Sequence, residues 1–83
     1  MYEVKDKNRI IYFFNKTDAD NYTDYLQNGL KITRTQRRTY YYNNGDRLIN
    51  IGIGNEKRYI LETRTGRKIT SEKLQKKHIA AIA

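Results

Sequence analysis

The residue order predicts an α+β fold, with two helices packed on an antiparallel sheet of about four to five strands. Three observations carry this. A strand-rich hairpin pattern opens the chain, and a capped amphipathic helix follows it. After Gly29 the sequence turns to β-branched and tyrosine-rich runs, broken by Gly-containing turns, before a last lysine-bearing helix. The predicted order is β-β-α-β-β-β-α, in a single small basic domain over residues 1–83.

Each element has a local reason. Tyr2–Lys5 alternates, Arg9–Phe14 is rich in β-branched and aromatic residues, and Asp6-Lys7-Asn8 between them reads as a short turn. Thr17-Asp18-Ala19-Asp20 predicts a helix start with Thr17 as N-cap and acidic residues where the helix dipole favours them. Ala19, Tyr22, Tyr25 and Leu26 then share one face of a helix over about Asp18–Asn28, and Gly29 stops it. Lys31–Asn43 reads as one long strand. Asn44-Gly45 is a strong hairpin signal, because both residues accept the positive φ of a type I′ turn. A two-residue loop there pairs Asn43 with Asp46, Tyr42 with Arg47, Tyr41 with Leu48 and Tyr40 with Ile49. That register sends Tyr40, Tyr42, Ile49 and Ile51 to the core. It leaves Arg37, Thr39, Tyr41 and Asn50 on the other face, with Lys31, Thr33 and Thr35 further along. Gly54-Asn55 turns the chain again, Lys57–Arg64 is the third strand of the meander, and Thr65-Gly66 ends it. Gly52 and Gly54 read as a strand-end kink and a turn, since no lysine-bearing helix start follows to make a phosphate loop. Ser71 or Thr70 caps a final helix in which Leu74, His78, Ala81 and Ile82 share a face, with Lys73, Lys76 and Lys77 on another.

Charge is the most informative property for function. Residues 1–30 hold four Lys/Arg against five Asp/Glu, a net of −1, and residues 31–83 hold thirteen against four, a net of +9. A one-sided excess of this kind fits a surface that meets an anion. There is no cysteine, which points to a reducing compartment, and no apolar run long enough to span a bilayer. With polar residues directly after Met1, the expectation is a cytoplasmic protein with no membrane partner.

Two basic constellations follow. Arg34-Thr35-Gln36-Arg37-Arg38-Thr39-Tyr40-Tyr41-Tyr42 combines bidentate phosphate donors with aromatic rings that can stack on an unpaired base. Arg34, Arg37, Arg38 and Tyr41 are its candidate contacts. Arg64, Arg67 and Lys68 lead into the start of the last helix, with Lys73, Lys76 and Lys77 beyond, and a helix N-terminus beside cations suits a phosphate. No metal site is expected, because Asp18 and Asp20 suit the first turn of the helix and Asp24 has no partner ligand; no small-molecule cofactor is expected either. His78, the lone histidine, falls on the apolar side of its helix and reads as a packed residue.

From Asp18 onward the expected α-β-β-β-α order resembles that of double-stranded-RNA-binding domains, although that family's helix-entry lysine motif is not present. The basic meander also resembles that of bacterial messenger-cleaving toxins, whose paired N-terminal helices have no counterpart here. The functional expectation is a non-enzymatic nucleic-acid-binding protein that holds the phosphate backbone with little sequence specificity, duplex favoured over single strands. A mobile-element-type inhibitor or adaptor docking on an acidic protein surface, such as a nucleic-acid-processing enzyme, is the alternative. A metal-independent endoribonuclease is the third.

Overall fold

The computed structural model describes residues 1–82. Strand β1 (Tyr2–Asp6) pairs antiparallel with β2 (Arg9–Phe13) around Lys7-Asn8, with Asp6 opposite Arg9 and φ 55° at Lys7. Alternation turns Val4, Ile11 and Phe13 inward. Helix α1 (Lys16–Asn28) packs on that face through Ala19, Tyr22 and, less deeply, Tyr25. Its N-cap is Asn15 rather than Thr17. Asn15 Oδ1 accepts the Asp18 N–H at 2.9 Å, and Asn15 Nδ2 donates to Asp18 Oδ2 at 3.0 Å. Asparagine is as strong a cap as threonine, and a start at Asn15 places Asp18 three residues on, where the reciprocal bond can form. Gly29 (φ 89°) ends the helix, its N–H donating to Tyr25 O. Leu26 lies off the buried stripe at 39% exposure.

The second unit is a five-stranded antiparallel meander: β3 (Ile32–Gln36), β4 (Thr39–Tyr42), β5 (Arg47–Asn50), β6 (Tyr59–Glu62) and β7 (Lys68–Ile69). Helix α2 (Glu72–Ile82) follows it. The α+β class and antiparallel sheet stand as predicted, but three details differ. The long strand predicted over Lys31–Asn43 is a hairpin that reverses at Arg37-Arg38, with φ 48° and 64°. Positive φ at both central residues is the type I′ requirement, met here by two arginines rather than Asn-Gly. Next, the Asn44-Gly45 turn has three loop residues, not two. The Gly45 N–H donates to Tyr42 O, the Tyr42 N–H to Asp46 O, and Gly45 alone takes positive φ, at 92°. The register therefore slips by one: Tyr41 faces Arg47, Tyr40 faces Leu48 and Thr39 faces Ile49. Such a slip exchanges the faces of the following strand, so Leu48 enters the core while Ile49 leaves it. Third, β1 and β2 form a sheet of their own. The order α-β-β-β-α shared with double-stranded-RNA-binding domains is accordingly absent, because five strands separate the helices.

Two hydrophobic clusters result. Val4, Ile11, Phe13, Ala19 and Tyr22 form one, and Tyr42, Leu48 and Leu61 form the other beneath Ile79 and Ile82 of α2. The buried face of α2 is Gln75, His78, Ile79 and Ile82; the predicted Leu74 is 61% exposed and Ala81 is exposed too. Gln75 enters the core because its amide donates to Tyr59 O (3.0 Å) and Ile69 O, binding the helix to β6 and β7. The units lie along a 41 Å axis, and the 13.5 Å radius of gyration exceeds the roughly 12 Å of a compact chain this long. Asn43 fastens the junction. It is 2% exposed, accepts the Lys31 N–H, and donates to Gly29 O and to Asp24. Among the described residues no helix is long and apolar enough to cross a membrane.

Candidate nucleic-acid interface

Helix α2 covers one face of the five-stranded sheet, and residues directly paired across strands share a face. The pairings therefore define what stands on the other face. Arg34 pairs with Tyr41, Tyr41 with Arg47, Arg47 with Glu62, and Glu62 with Lys68. This line crosses all five strands and, at roughly 4.8 Å per strand step, spans about 19 Å. A second line behind it runs Gln36, Thr39, Ile49 and Ile60. These isoleucines are half-buried yet take no part in the core cluster, and α1 packs against β1 and β2 instead. The face thus offers an aromatic ring, apolar patches and cations without a covering helix.

Within the first line Arg47 donates to Glu62 at 2.6 Å, so its charge is partnered. Arg34 lies over the Tyr41 ring, 4.1 Å from its centroid, and has no carboxylate partner among the described residues. A bulge at Thr33 makes this pair possible. Ile32 faces Tyr42 but Arg34 faces Tyr41, so the extra residue re-aims the arginine, and Thr33 Oγ1 donates to Tyr41 O.

The open face ends at a cleft of about 630 Å³. Phe13, Thr17, Asp18 and Asn21 form one wall, Thr33, Arg34 and Tyr41 another, and the Asn43–Asp46 turn with Arg64 the third. Arg64 is placed there by three contacts. Its N–H donates to Asp46 Oδ1 at 2.9 Å, its stem crosses Gly45, and its guanidinium lies 5.5 Å and 5.8 Å from the Tyr22 and Phe13 rings. A Cβ at position 45 would stand 2.8 Å from Arg64 Cγ, which is why glycine suits that turn.

The ten predicted contacts do not form one surface. Arg34, Tyr41 and Lys68 stand on the open face, and Arg64 joins Arg34 and Tyr41 at the cleft. Arg37 is exposed at the β3–β4 tip, while Arg38 donates to Gly52 O and so ties that tip to the loop after β5. Arg67 is exposed in the β6–β7 turn, where its N–H donates to Thr63. Lys73, Lys76 and Lys77 are exposed on α2, on the opposite side of the sheet. Of the residues expected to lead toward these lysines, Arg64 is held at the cleft and Lys68 stands on the sheet face away from α2. Sequence reasoning missed Arg47 and Ile49 through the register slip, and it assigned Ile60 to neither face. It missed the α1 wall of the cleft because no local pattern brings α1 to β3.

His78 is packed, as predicted, but it has a partner the sequence did not announce. Its Nε2 meets Asp46 Oδ2 at 2.9 Å, its ring stands edge-on to Tyr42 at 4.8 Å, and the Tyr42 hydroxyl donates to the His78 carbonyl. Burial raises the Asp46 carboxyl, but hydrogen bonds from His78, the Arg64 N–H and Asn44 outweigh this and hold it below the usual carboxylate range. Burial, reinforced by Tyr40, Tyr59 and Asp46, pushes the Tyr42 hydroxyl up to about 12. The His78 ring lies under α2, while Asp46 reaches from the turn that also lines the cleft. Among the described residues no group of three or more His, Cys, Asp or Glu is placed to hold a metal ion. Compared with known proteins, the chain matches no family model, no curated protein and no solved structure.

Proposed function

We propose that this protein binds single-stranded nucleic acid across the open face of its five-stranded sheet, with little sequence selectivity. The carrying observation is the cross-strand line Arg34–Tyr41–Arg47–Glu62–Lys68 on a face that no helix covers. Cations beside the line hold phosphates, and the Arg34–Tyr41 stack presents a planar surface on which an unpaired base can continue. Ile49 and Ile60 supply apolar contact for a neighbouring base or sugar. The duplex expectation rested on Tyr40 and Tyr42 packing in the core, which leaves only Tyr41 to stack, and it gave the duplex contacts to Lys73, Lys76 and Lys77. Those lysines stand across the sheet from the aromatic line, so one ligand lying on the sheet does not reach both.

Fluorescence anisotropy with single-stranded and duplex oligonucleotides over a salt series tests this. Neutralising three to four phosphates of a single strand gives a log–log salt slope of about −2 to −3. Tyr41→Ala is expected to weaken single strands by ~1–3 kcal/mol and to leave duplex affinity alone. Changing Lys73, Lys76 and Lys77 together to Gln should alter single-strand affinity little. The reverse pattern would establish the duplex reading. If neither variant changes any nucleic-acid affinity, the basic surface serves an acidic protein partner, and RNA cleaved in the presence of a chelator would establish the endoribonuclease.

A further inference from the structure

We infer that the cleft between α1 and the sheet is a pocket for one nucleoside phosphate, either a free nucleotide or the terminal nucleotide of a strand lying on the open face. Its volume, about 630 Å³, is in the range of small-molecule sites and leaves room for a single nucleotide. Its sheet side carries two guanidiniums, Arg34 and Arg64, neither paired with a carboxylate among the described residues. Each is held over an aromatic ring, Arg34 at 4.1 Å from Tyr41 and Arg64 at 5.5 Å from Tyr22. A guanidinium resting on a ring keeps its N–H edge free, and that edge matches two phosphate oxygens. Arg64 is also positioned before any ligand arrives, by its N–H bond to Asp46 and by its stem over Gly45.

The opposite wall has different chemistry. Thr17 and Asn21 line it with a hydroxyl and an amide, and Asp18 adds a carboxylate bonded to Asn15. Donors and acceptors mixed in this way match the edge of a base, and the carboxylate disfavours a second phosphate there. On the other side Asp46 also lines the cleft, but its oxygens are taken up by Asn44, His78 and the Arg64 N–H. The cleft is therefore polarised, with phosphate toward the Arg34 and Arg64 guanidiniums and base toward α1. A bare anion would use only half of it.

Only the strand-end source rests on the single-strand reading, and the experiment separates the two. ¹⁵N-labelled protein is titrated with each nucleoside monophosphate, with the nucleosides and with inorganic phosphate; linear 5′-phosphorylated and circular single-stranded DNA are compared by anisotropy. Expected are shifts of the Thr17, Asn21, Gly45 and Arg64 amides with nucleotides, or tighter binding of linear than circular DNA. Arg34→Gln should weaken that binding about tenfold, the loss of one charge-assisted contact. Arg64→Gln should do the same, read beside its unfolding midpoint because Arg64 also touches Phe13 and Tyr22. Nucleotide binding without any strand binding would sink the open-face reading and leave this inference standing. Inorganic phosphate binding as tightly as nucleotides would overturn it. So would the absence of shifts combined with equal affinity for linear and circular DNA.

Discussion

Replacing Asp46 by asparagine tests the junction between turn, strand and helix, because one carboxylate serves all three. Asp46 Oδ2 accepts from Asn44 Nδ2 and meets His78 Nε2, both at 2.9 Å, and Oδ1 accepts the Arg64 N–H. An asparagine can keep the Arg64 bond through its oxygen. Its NH₂ group then confronts the Asn44 amide, a donor against a donor, and it meets His78 only if the imidazole hydrogen moves to Nδ1. That atom is buried with no partner, so the change leaves a buried N–H unsatisfied. An unsatisfied buried donor costs about 1–3 kcal/mol and a charge-assisted bond contributes about 1.5–3. A net loss of ~2–4 kcal/mol follows, a large part of the roughly 4–12 kcal/mol expected for a domain this size. The chain has no tryptophan, so urea unfolding is followed by far-ultraviolet circular dichroism and tyrosine fluorescence. With m near ~1.5 kcal/mol/M the midpoint should fall by about 1.3–2.7 M. The pH dependence gives a second reading. The Asp46 carboxyl titrates lower folded than unfolded, so its contribution is complete above the unfolded value of about 3.9 and is lost as pH falls through the folded one. The wild type should shed this stability in acid and Asp46→Asn should not. A midpoint at pH 7 within 0.5 M of wild type, roughly, or identical acid slopes, would refute the reasoning.

Three further substitutions test the register and the arginine turn. Leu48→Ala, at a side chain with 0% exposure, should cost ~2–5 kcal/mol, and Ile49→Ala, on the open face, about 1 or less. Equal losses in urea melts would return Ile49 to the core and undo the cross-strand line. Arg37→Asn places a residue tolerant of positive φ where φ is 48°, and should stabilise by about 0.5–1 kcal/mol, or a few degrees in Tm. The same variant should bind single strands more weakly if Arg37 holds a phosphate, and a lower Tm would show that the turn carries no strain.

How much of this fold could be read from the residues depends on whether each signal was local. The β1–β2 hairpin and the Gly29 stop rest on neighbouring residues and were legible. The Arg37-Arg38 reversal was not, because neither residue favours φ above zero and the tyrosines and threonines on both sides read as one strand. Length was the available warning. Lys31–Asn43 is thirteen residues, longer than the roughly 3–10 of an ordinary strand. The slip at Asn44-Gly45 has a tertiary cause. A two-residue turn would place Asn43 in the ladder opposite Asp46, whereas the three-residue loop frees it to bond Lys31, Gly29 and Asp24. Nothing within the hairpin announces those partners.

The same dependence explains the site. Residue type alone marked Arg34 and Tyr41, because a basic and aromatic strand is visible without knowing its partners. Their grouping with Arg47, Glu62 and Lys68 exists only after the slip. In the two-residue register Tyr41 would face Leu48 and Arg47 would face Tyr42, a residue 3% exposed in the core. A buried, unpaired guanidinium would cost several kcal/mol, and the slip removes that cost by carrying Arg47 outward to Glu62 as Leu48 moves in. The step that seals the hydrophobic core therefore also aligns the charged line on the open face. The Arg34–Tyr41 stack comes from the separate bulge at Thr33, in a strand that the register of β5 does not control. Two irregularities thus converge on Tyr41, the bulge in β3 on one side and the three-residue turn into β5 on the other.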